Sequence, residues 1–204
     1  MEAGISNAEI LATLRELNAK VRTPLWLFGG VAIDFLVGRW TRPHGDIDLN
    51  TLSVYRDNLA QELNQIGYHT SDSGWLTQWF QTESGRRLEI VFLERGADGS
   101  IELHIRQGDP VGVPGRYPMA RDYLDPDRFA THDGVTFRVS SPAGEWLARA
   151  AGLDVVGGRP PDPKLEHDQK LLEHILPAED LVLLRAIVAK RANQPPPPLA
   201  YLKR

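Results

Sequence analysis

Two aspartates separated by a single residue are the clearest candidates for chemistry in this sequence. Asp46 and Asp48 lie in a segment that alternates polar and apolar residues. Because successive side chains of a β-strand point to opposite faces, the alternation predicts a strand with both carboxylates on one face. Carboxylate oxygens are preferred Mg²⁺ ligands, and magnesium assists polyphosphate chemistry. The pair therefore indicates a magnesium site, although two exposed carboxylates on a half-buried strand would give the same pattern.

A third carboxylate, Glu89, stands alone in the apolar segment 88–93. A buried carboxylate is costly unless it pairs with a cation, binds a metal or takes up a proton. On a strand beside the two aspartates, Glu89 would complete a two-metal site, either as a ligand or by accepting the proton of an attacking hydroxyl. A salt bridge to Arg86 or Arg87 is the alternative.

A glycine pair, Gly29-Gly30, separates the apolar segment 25–28 from another at 31–36. The order predicts a strand, a turn and a helix. A backbone without side chains lets a phosphate approach, and a helix N-terminus offers unpaired N–H groups and the positive end of its dipole. The pair is therefore a candidate triphosphate contact, and a simple tight turn is the alternative.

The loop 39–45 between this helix and the aspartates is basic. Guanidinium groups such as that of Arg42 could neutralise triphosphate oxygens, so Arg42 and His44 are candidate nucleotide contacts. A solvated loop, or a structural hydrogen bond made by His44, explains the same residues.

Apolar periodicity predicts the elements that would position these side chains. Helices are expected after the capping box of Ser6 and Glu9, at 31–36, from about 54 to 66, around 146–147, at 165–176 and at 180–190. Strands are expected at 25–28, 46–50, 75–82, 87–93, 101–105 and 135–139. From Pro142 onward the pattern is helical.

The composition is that of a globular protein, with 42% hydrophobic and 25% charged residues among 204. A net charge of -4 argues against a nucleic acid partner held by bulk electrostatics. The absence of cysteine excludes disulfides and thiolate chemistry. With no apolar run long enough to cross a bilayer, we expect a cytoplasmic protein without a membrane partner.

The chain resembles the antibiotic nucleotidyltransferases, which are the lincosamide and aminoglycoside adenylyltransferases of the DNA polymerase beta-like superfamily. The similarity is specific over residues 25–50 and fades to a loose helical match over 141–172. It is carried by Leu25-Trp26-Leu27-Phe28-Gly29-Gly30-Val31-Ala32-Ile33-Asp34, Gly38-Arg39-x-Thr41-Arg42-x-His44-x-Asp46-Ile47-Asp48, Leu88-Glu89-Ile90 and Asp98-Gly99-Ser100-Ile101. It implies an α+β fold, a small mixed β-sheet core flanked by helices with a C-terminal helical segment. We accordingly expect a nucleotidyltransferase core at 1–140, a helical region packed on it at 141–194 and a Pro-rich tail at 195–204.

The resemblance also implies an activity, namely transfer of a nucleoside monophosphate from ATP or another nucleoside triphosphate to a small-molecule hydroxyl, with two Mg²⁺ ions. Asp46 and Asp48 would then be metal ligands, and Glu89 the third ligand or the base. Lys164 falls where the family often has a lysine and is a further candidate nucleotide contact, although it could instead form a salt bridge with Asp168.

The acceptor stays open at the level of sequence. An aminoglycoside requires an acidic cleft, whereas a lincosamide requires an apolar wall beside one hydroxyl-positioning site. Carboxylates available for an acidic cleft are Glu94, Asp98, Glu102 and Glu145. An enzyme that modifies tRNA or another protein, and a catalytically silent nucleotide-binding homologue, are the alternatives. A homodimer whose neighbouring copy completes the site is also left open.

Overall fold

A mixed β-sheet with helices packed on it forms the body of the protein. The structure, a computed structural model, describes residues 4–70, 74–106, 115–120, 122–151 and 163–192. Its helices are α1 (Asn7–Lys20), α2 (Gly29–Val37), α3 (Arg56–Gln65), α4 (Pro142–Ala151), α5 (Pro163–Ile175) and α6 (Ala178–Ala192). Its strands are β1 (Trp26–Leu27), β2 (Ile47–Leu52), β3 (Tyr68–His69), β4 (Leu76–Gln81), β5 (Arg87–Arg95), β6 (Ile101–Ile105), β7 (Gly115–Pro118), β8 (Phe129–His132) and β9 (Val135–Arg138).

The sheet is built around the parallel pair of β2 and β5, whose register places Asp48 opposite Glu89. β1 pairs antiparallel with β2, β4 with β5, and β3 with β4. The end of β5 pairs antiparallel with β6, and β6 pairs antiparallel with β7. The hairpin of β8 and β9 forms a separate two-stranded sheet that joins β1 through a bridge between Leu27 and Val139.

Alternation along β2 and β5 divides the sheet into two faces. Ile47 and Leu49 of β2 and Leu88 and Ile90 of β5 are buried in one cluster with the apolar residues of α1, α2 and α3. Because side chains alternate, Asp48 and Glu89 lie on the opposite face. The carboxylates are therefore placed on the face opposite the apolar cluster that the sheet forms with α1, α2 and α3.

Local signals account for the ends of the helices that frame the site. α1 begins after Ser6 with both hydrogen bonds of a capping box. α2 begins directly after β1 and ends at Gly38, whose left-handed conformation, with φ 70°, is readily adopted by glycine. α1 matches the sequence-based expectation, whereas α2 begins two residues earlier than expected, so Gly29 and Gly30 form its first turn and do not precede it.

The three C-terminal helices pack on α2 through a separate apolar cluster. Ile33 of α2 is fully buried against Trp146, Leu147, Leu172 and Leu184. The predicted α+β fold, a small mixed sheet flanked by helices with a helical C-terminal segment, is thereby confirmed. The domain boundaries at 140 and 194 stay predictions, and the Pro-rich tail at 195–204 lies outside the described residues.

Three short strands, β3, β7 and β8, were not predicted from the sequence.

None of the helices in the described part of the chain has the length and apolar character needed to cross a bilayer.

Candidate active site

The three carboxylates selected from the sequence lie together in the structure. Asp46 directly precedes β2, Asp48 lies on β2, and Glu89 lies on the neighbouring strand β5. One oxygen from each carboxylate lies within 4.8 Å of the others, and all three side chains are partly exposed. The parallel pairing of two strands thus produces the cluster from positions about forty residues apart.

The electrostatics of this cluster favour a bound cation. Burial, followed by the charges of Asp46 and Glu89, raises the pKa of Asp48 well above its ordinary value. A divalent ion between the carboxylates would offset both effects, since its positive charge stabilises a buried carboxylate and reduces the repulsion between neighbouring carboxylates. Three oxygen donors, partly open to solvent, are the ligand type that Mg²⁺ prefers. The donor set therefore fits magnesium.

Asp46 and Glu89 each have a specific hydrogen-bond donor. Nη2 of Arg87 lies 2.8 Å from Oδ2 of Asp46. Nε2 of Gln78, on β4, donates to Oε1 of Glu89 at 2.8 Å. The alternative salt bridge of Glu89 with Arg86 or Arg87 is not the arrangement found, because Arg87 pairs with Asp46 and Arg86 with Glu16 on α1.

The glycine turn packs directly against the carboxylates. Gly29 has a φ of 72°, and a Cβ atom on it would overlap Oδ2 of Asp48. A Cβ atom on Gly30 would overlap Nη2 of Arg42. Asp48 therefore disfavours a side chain at Gly29 independently of any phosphate, whereas a side chain at Gly30 would require the Arg42 side chain to move.

The N–H of Gly29 was expected to be an unpaired donor, but it has a hydrogen-bond acceptor. It donates to Oε2 of Glu145 at 3.0 Å. Glu145 lies on α4 and is fully buried. Its carboxylate therefore accepts from the first N–H of α2, the helix whose N-terminus was expected to face a triphosphate. Contacts of a nucleotide with Gly29 and Gly30 stay a prediction.

The predicted nucleotide contacts in the basic loop have internal partners. Nε and Nη2 of Arg42 donate to the two carboxylate oxygens of Asp168 at 3.2 and 3.1 Å. His44 is buried, with Nε2 2.6 Å from Oδ2 of Asp34, which is the structural hydrogen bond considered as its alternative. Lys164 is exposed in the first turn of α5. A nucleotide-binding role for these three residues stays a prediction.

The sequence patterns did not reveal a buried polar network behind the carboxylates. Nη1 of Arg149 donates to Oε2 of Glu145 at 2.6 Å, and Nη2 of Arg149 lies 3.4 Å from Oδ2 of Asp168. The hydroxyl of Tyr123 donates to Oε1 of Glu145 at 2.9 Å and accepts from Asn50 at 3.2 Å. The signal that could have found the network is an acid and an arginine four residues apart on an otherwise apolar helix.

The environment of Tyr123, which includes the carboxylate of Glu145, changes the pKa of its hydroxyl. Burial, followed by the charge of Glu145, raises the pKa of Tyr123 well above its ordinary value. Tyr123 is therefore a neutral hydrogen-bond donor within the network and keeps its proton.

Comparison with known proteins links this geometry to a family. The model of the aminoglycoside-2''-adenylyltransferase family matches residues 8–148. A lincosamide resistance protein of Staphylococcus haemolyticus is 29% identical over 111 residues, which cover 53% of this chain and 65% of that protein. A 2''-aminoglycoside nucleotidyltransferase of Klebsiella pneumoniae is 38% identical over 80 residues, which cover 39% of this chain and 42% of that protein. Each match thus spans less than two thirds of the relative's own length.

Solved structures show the same fold at lower identity. The lincomycin-bound lincosamide antibiotic adenylyltransferase LnuA has a TM-score of 0.60 at 21% identity, covering 85% of this chain and 100% of that one. The complex of ANT(2'')-Ia with adenylyl-2''-tobramycin has a TM-score of 0.65 at 21% identity, covering 90% and 97%. Because the family model matches more than half of the sequence, the chain belongs to the aminoglycoside-2''-adenylyltransferase family.

Proposed function

We propose that the protein is a magnesium-dependent nucleotidyltransferase that transfers a nucleoside monophosphate, AMP from ATP, to the hydroxyl of a small molecule. The observation that carries the proposal is the cluster of Asp46, Asp48 and Glu89 on adjacent parallel strands. Membership of the family, whose named members are adenylyltransferases, supports the reaction type.

The residues of the site have separable roles in this reaction. Asp46 and Asp48 would hold magnesium, which when bound neutralises the charge on the attacking and leaving oxygens. Glu89 would complete the ligand set or accept the proton of the acceptor hydroxyl, and Gln78 orients its carboxylate. The hydroxyl oxygen attacks the α-phosphorus in line, the bond to the bridging oxygen breaks, and pyrophosphate leaves.

The acceptor is proposed to be an antibiotic hydroxyl, and the charges near the site bear on its class. Among the described carboxylates offered for an acidic cleft, Glu94 pairs with three basic side chains, Glu102 pairs with Arg116, and Glu145 pairs with Arg149. These three already have basic partners, which weakens the case for a polycationic aminoglycoside. Asp98 accepts from the N–H of Ser100 in a turn.

The sheet face that carries the carboxylates is bordered by an apolar cluster whose core is buried and whose outer members are partly buried. Beyond Glu89 this face continues into Val91 and Leu93, which belong to a second apolar cluster. Partly buried members packed against that cluster are Phe28, Tyr55, Trp75, Leu76, Tyr117, Met119 and Ala120. An apolar wall beside a hydroxyl-positioning site is what a lincosamide requires, so this class is the acceptor favoured over an aminoglycoside.

Incubation of the purified protein with α-labelled nucleoside triphosphates and Mg²⁺ tests the proposal. The acceptor panel contains lincomycin, tobramycin and tRNA, and the readouts are pyrophosphate release and product mass. We expect transfer to lincomycin. Nucleotide binding without pyrophosphate release across the panel would instead indicate a catalytically silent homologue, and modified tRNA would indicate the macromolecular alternative.

A double variant, Asp46→Asn with Asp48→Asn, supplies the mechanistic control. It should retain the circular dichroism of the folded protein and lose transfer. Asp57→Asn, at an exposed aspartate of α3, is the matched change outside the site and should keep transfer. Full activity in the double variant would overturn the assignment.

A further inference from the structure

We propose that Glu145 and Arg149, both on α4, are positioning residues that hold the glycine turn against Asp48 and thereby fix the orientation of this metal-binding carboxylate. The inference rests on the proposed function, because it assigns Asp48 to a metal site. It places part of the control of the site in the C-terminal helices, outside the strands that carry the carboxylates.

The first step concerns the hydrogen bonds that both carboxylate oxygens of Glu145 accept. Its side chain is 1% exposed. Oε2 accepts from the N–H of Gly29 at 3.0 Å and from Arg149 at 2.6 Å, and Oε1 accepts from Tyr123 at 2.9 Å and from Ser140 at 2.5 Å. Since four donors surround its two oxygens, Glu145 acts through Gly29 and does not take part in the chemistry itself.

The second step joins Gly29 to Asp48 through two contacts. The position of a Cβ atom on Gly29 is occupied by Oδ2 of Asp48, so the turn forms a wall against the carboxylate. The backbone N–H of Phe28 also donates to the backbone oxygen of Asp48 at 3.1 Å. If the turn moved, the carboxylate of Asp48 would gain rotamers that do not converge with Asp46 and Glu89.

The third step anchors Glu145 from the other side. Arg149 is 7% exposed and lies between Glu145 and Asp168, its second carboxylate partner on α5. Asp168 is 1% exposed and also accepts from Arg42 in the basic loop. A series of polar contacts therefore runs from α5 through Arg149 and Glu145 to Gly29, which packs directly against the carboxylate of Asp48.

A positioning role and a purely electrostatic role for Arg149 have opposite consequences for metal binding. Removal of a positive charge near the carboxylates, taken alone, would strengthen the binding of a divalent cation. Release of the turn would weaken it, because groups that orient metal ligands typically contribute about 10- to 100-fold to affinity. The direction of the change therefore separates the two roles.

The experiment titrates full-length wild type and the variants Arg149→Met and Arg149→Lys with Mn²⁺ alone, following free Mn²⁺ by electron paramagnetic resonance. Thermal unfolding establishes that each variant is folded, and kcat and KM for ATP are measured with the acceptor. We expect Arg149→Met to bind Mn²⁺ about tenfold more weakly, with kcat falling more than KM rises. Arg149→Lys should be intermediate, because it keeps the charge but not the forked geometry.

Arg185→Met is the matched control. It removes an arginine from the same helical region, where Arg185 pairs with Glu173 at 3.3 Å, and should bind Mn²⁺ as wild type does. A folded Arg149→Met variant with equal or tighter Mn²⁺ binding would overturn the inference. If Arg149→Met does not fold, Arg149→Lys decides, and wild-type affinity in that variant overturns it.

The failure of this inference can be distinguished from failure of the proposed function. A wild type that binds Mn²⁺ but transfers nothing contradicts the proposed reaction, while the Mn²⁺ titration still decides the role of Arg149. A wild type that transfers AMP while Arg149→Met and Arg149→Lys bind Mn²⁺ normally contradicts only the positioning role. A folded wild type that binds no Mn²⁺ overturns both the metal assignment and the inference.

Discussion

Arg87 donates to Asp46 with a distance of 2.8 Å between Nη2 and Oδ2, so a guanidinium group lies at the edge of a cluster of three carboxylates. Both side chains of this ion pair are about one third exposed, at 31% and 29%. The pair places one positive charge beside the negative charges of Asp46, Asp48 and Glu89. Arg87 is therefore the counter-ion of Asp46 in this structure.

Replacement of this counter-ion should make stability depend more strongly on magnesium. We expect Arg87→Met to lower the free energy of unfolding by about 1 kcal/mol in EDTA, a value reduced for solvent screening. Added Mg²⁺ should recover part of the loss, because a divalent ion replaces the missing charge. Urea unfolding with EDTA and with Mg²⁺ measures both, and Arg116→Met, at an exposed ion pair, is the control. Equal stabilisation of wild type and Arg87→Met by Mg²⁺ would contradict the prediction.

Two glycines with nearly the same backbone conformation allow strain to be separated from the contact with Asp48. Gly29 and Gly38 have φ values of 72° and 70°, but a Cβ atom on Gly38 would meet no atom within 4 Å. Alanine at Gly38 should cost only the left-handed strain, about 1 to 2 kcal/mol, and leave transfer intact. Alanine at Gly29 should cost more in urea unfolding and abolish transfer, since its methyl group displaces the carboxylate. Similar stability and activity in the two variants would show that the contact does not matter.

We expect the negative charge of Asp48 to be required for transfer but to lower the free energy of unfolding. Burial and the neighbouring carboxylates raise its pKa, which means that its negative charge destabilises the metal-free fold near neutral pH. Asp48→Asn keeps the shape of the side chain and removes the charge. We expect the variant to be more stable than wild type in EDTA and to lose both the response to Mg²⁺ and transfer. A variant less stable than wild type in EDTA would refute this balance.

Periodicity was sufficient to predict the part of the site that lies on strands. The alternation around Asp48 and the apolar surroundings of Glu89 are local patterns, and the parallel pairing of β2 and β5 placed the two residues opposite each other. The ends of α1 and α2 were predictable for the same reason, since Ser6 and Gly38 act on residues within one turn.

Partners chosen by long-range packing could not be predicted in this way. Arg42 was assigned to a nucleotide from its position in a basic loop, but its carboxylate partner, Asp168, lies 126 residues later in the chain. Glu145 was counted among the carboxylates available for an acidic acceptor cleft, whereas it is buried and paired with Arg149. Local patterns in a single sequence do not reveal which distant charges meet. The two-residue strand β3 is too short for any period to be detected.

Glu94 offers a prediction for the pH dependence of stability on the β5–β6–β7 part of the sheet. Partial burial alone would raise the pKa of Glu94, but hydrogen bonds from His104 and Arg106 bring it below its ordinary value. A carboxylate with a depressed pKa in the folded state stabilises the fold above its unfolded-state pKa, and the contribution is lost as the pH falls through the folded-state value.

Glu94→Gln should therefore lower the free energy of unfolding by roughly 0.5 kcal/mol near neutral pH, since the ion pairs with Arg106 and Arg116 are largely exposed. The difference from wild type should shrink as acid protonates Glu94 and should vanish below its folded-state pKa. Urea unfolding of both proteins across a series of pH values from neutral to acidic measures this difference. A gap that stays constant across the series would show that Glu94 stabilises the fold by packing and not by charge.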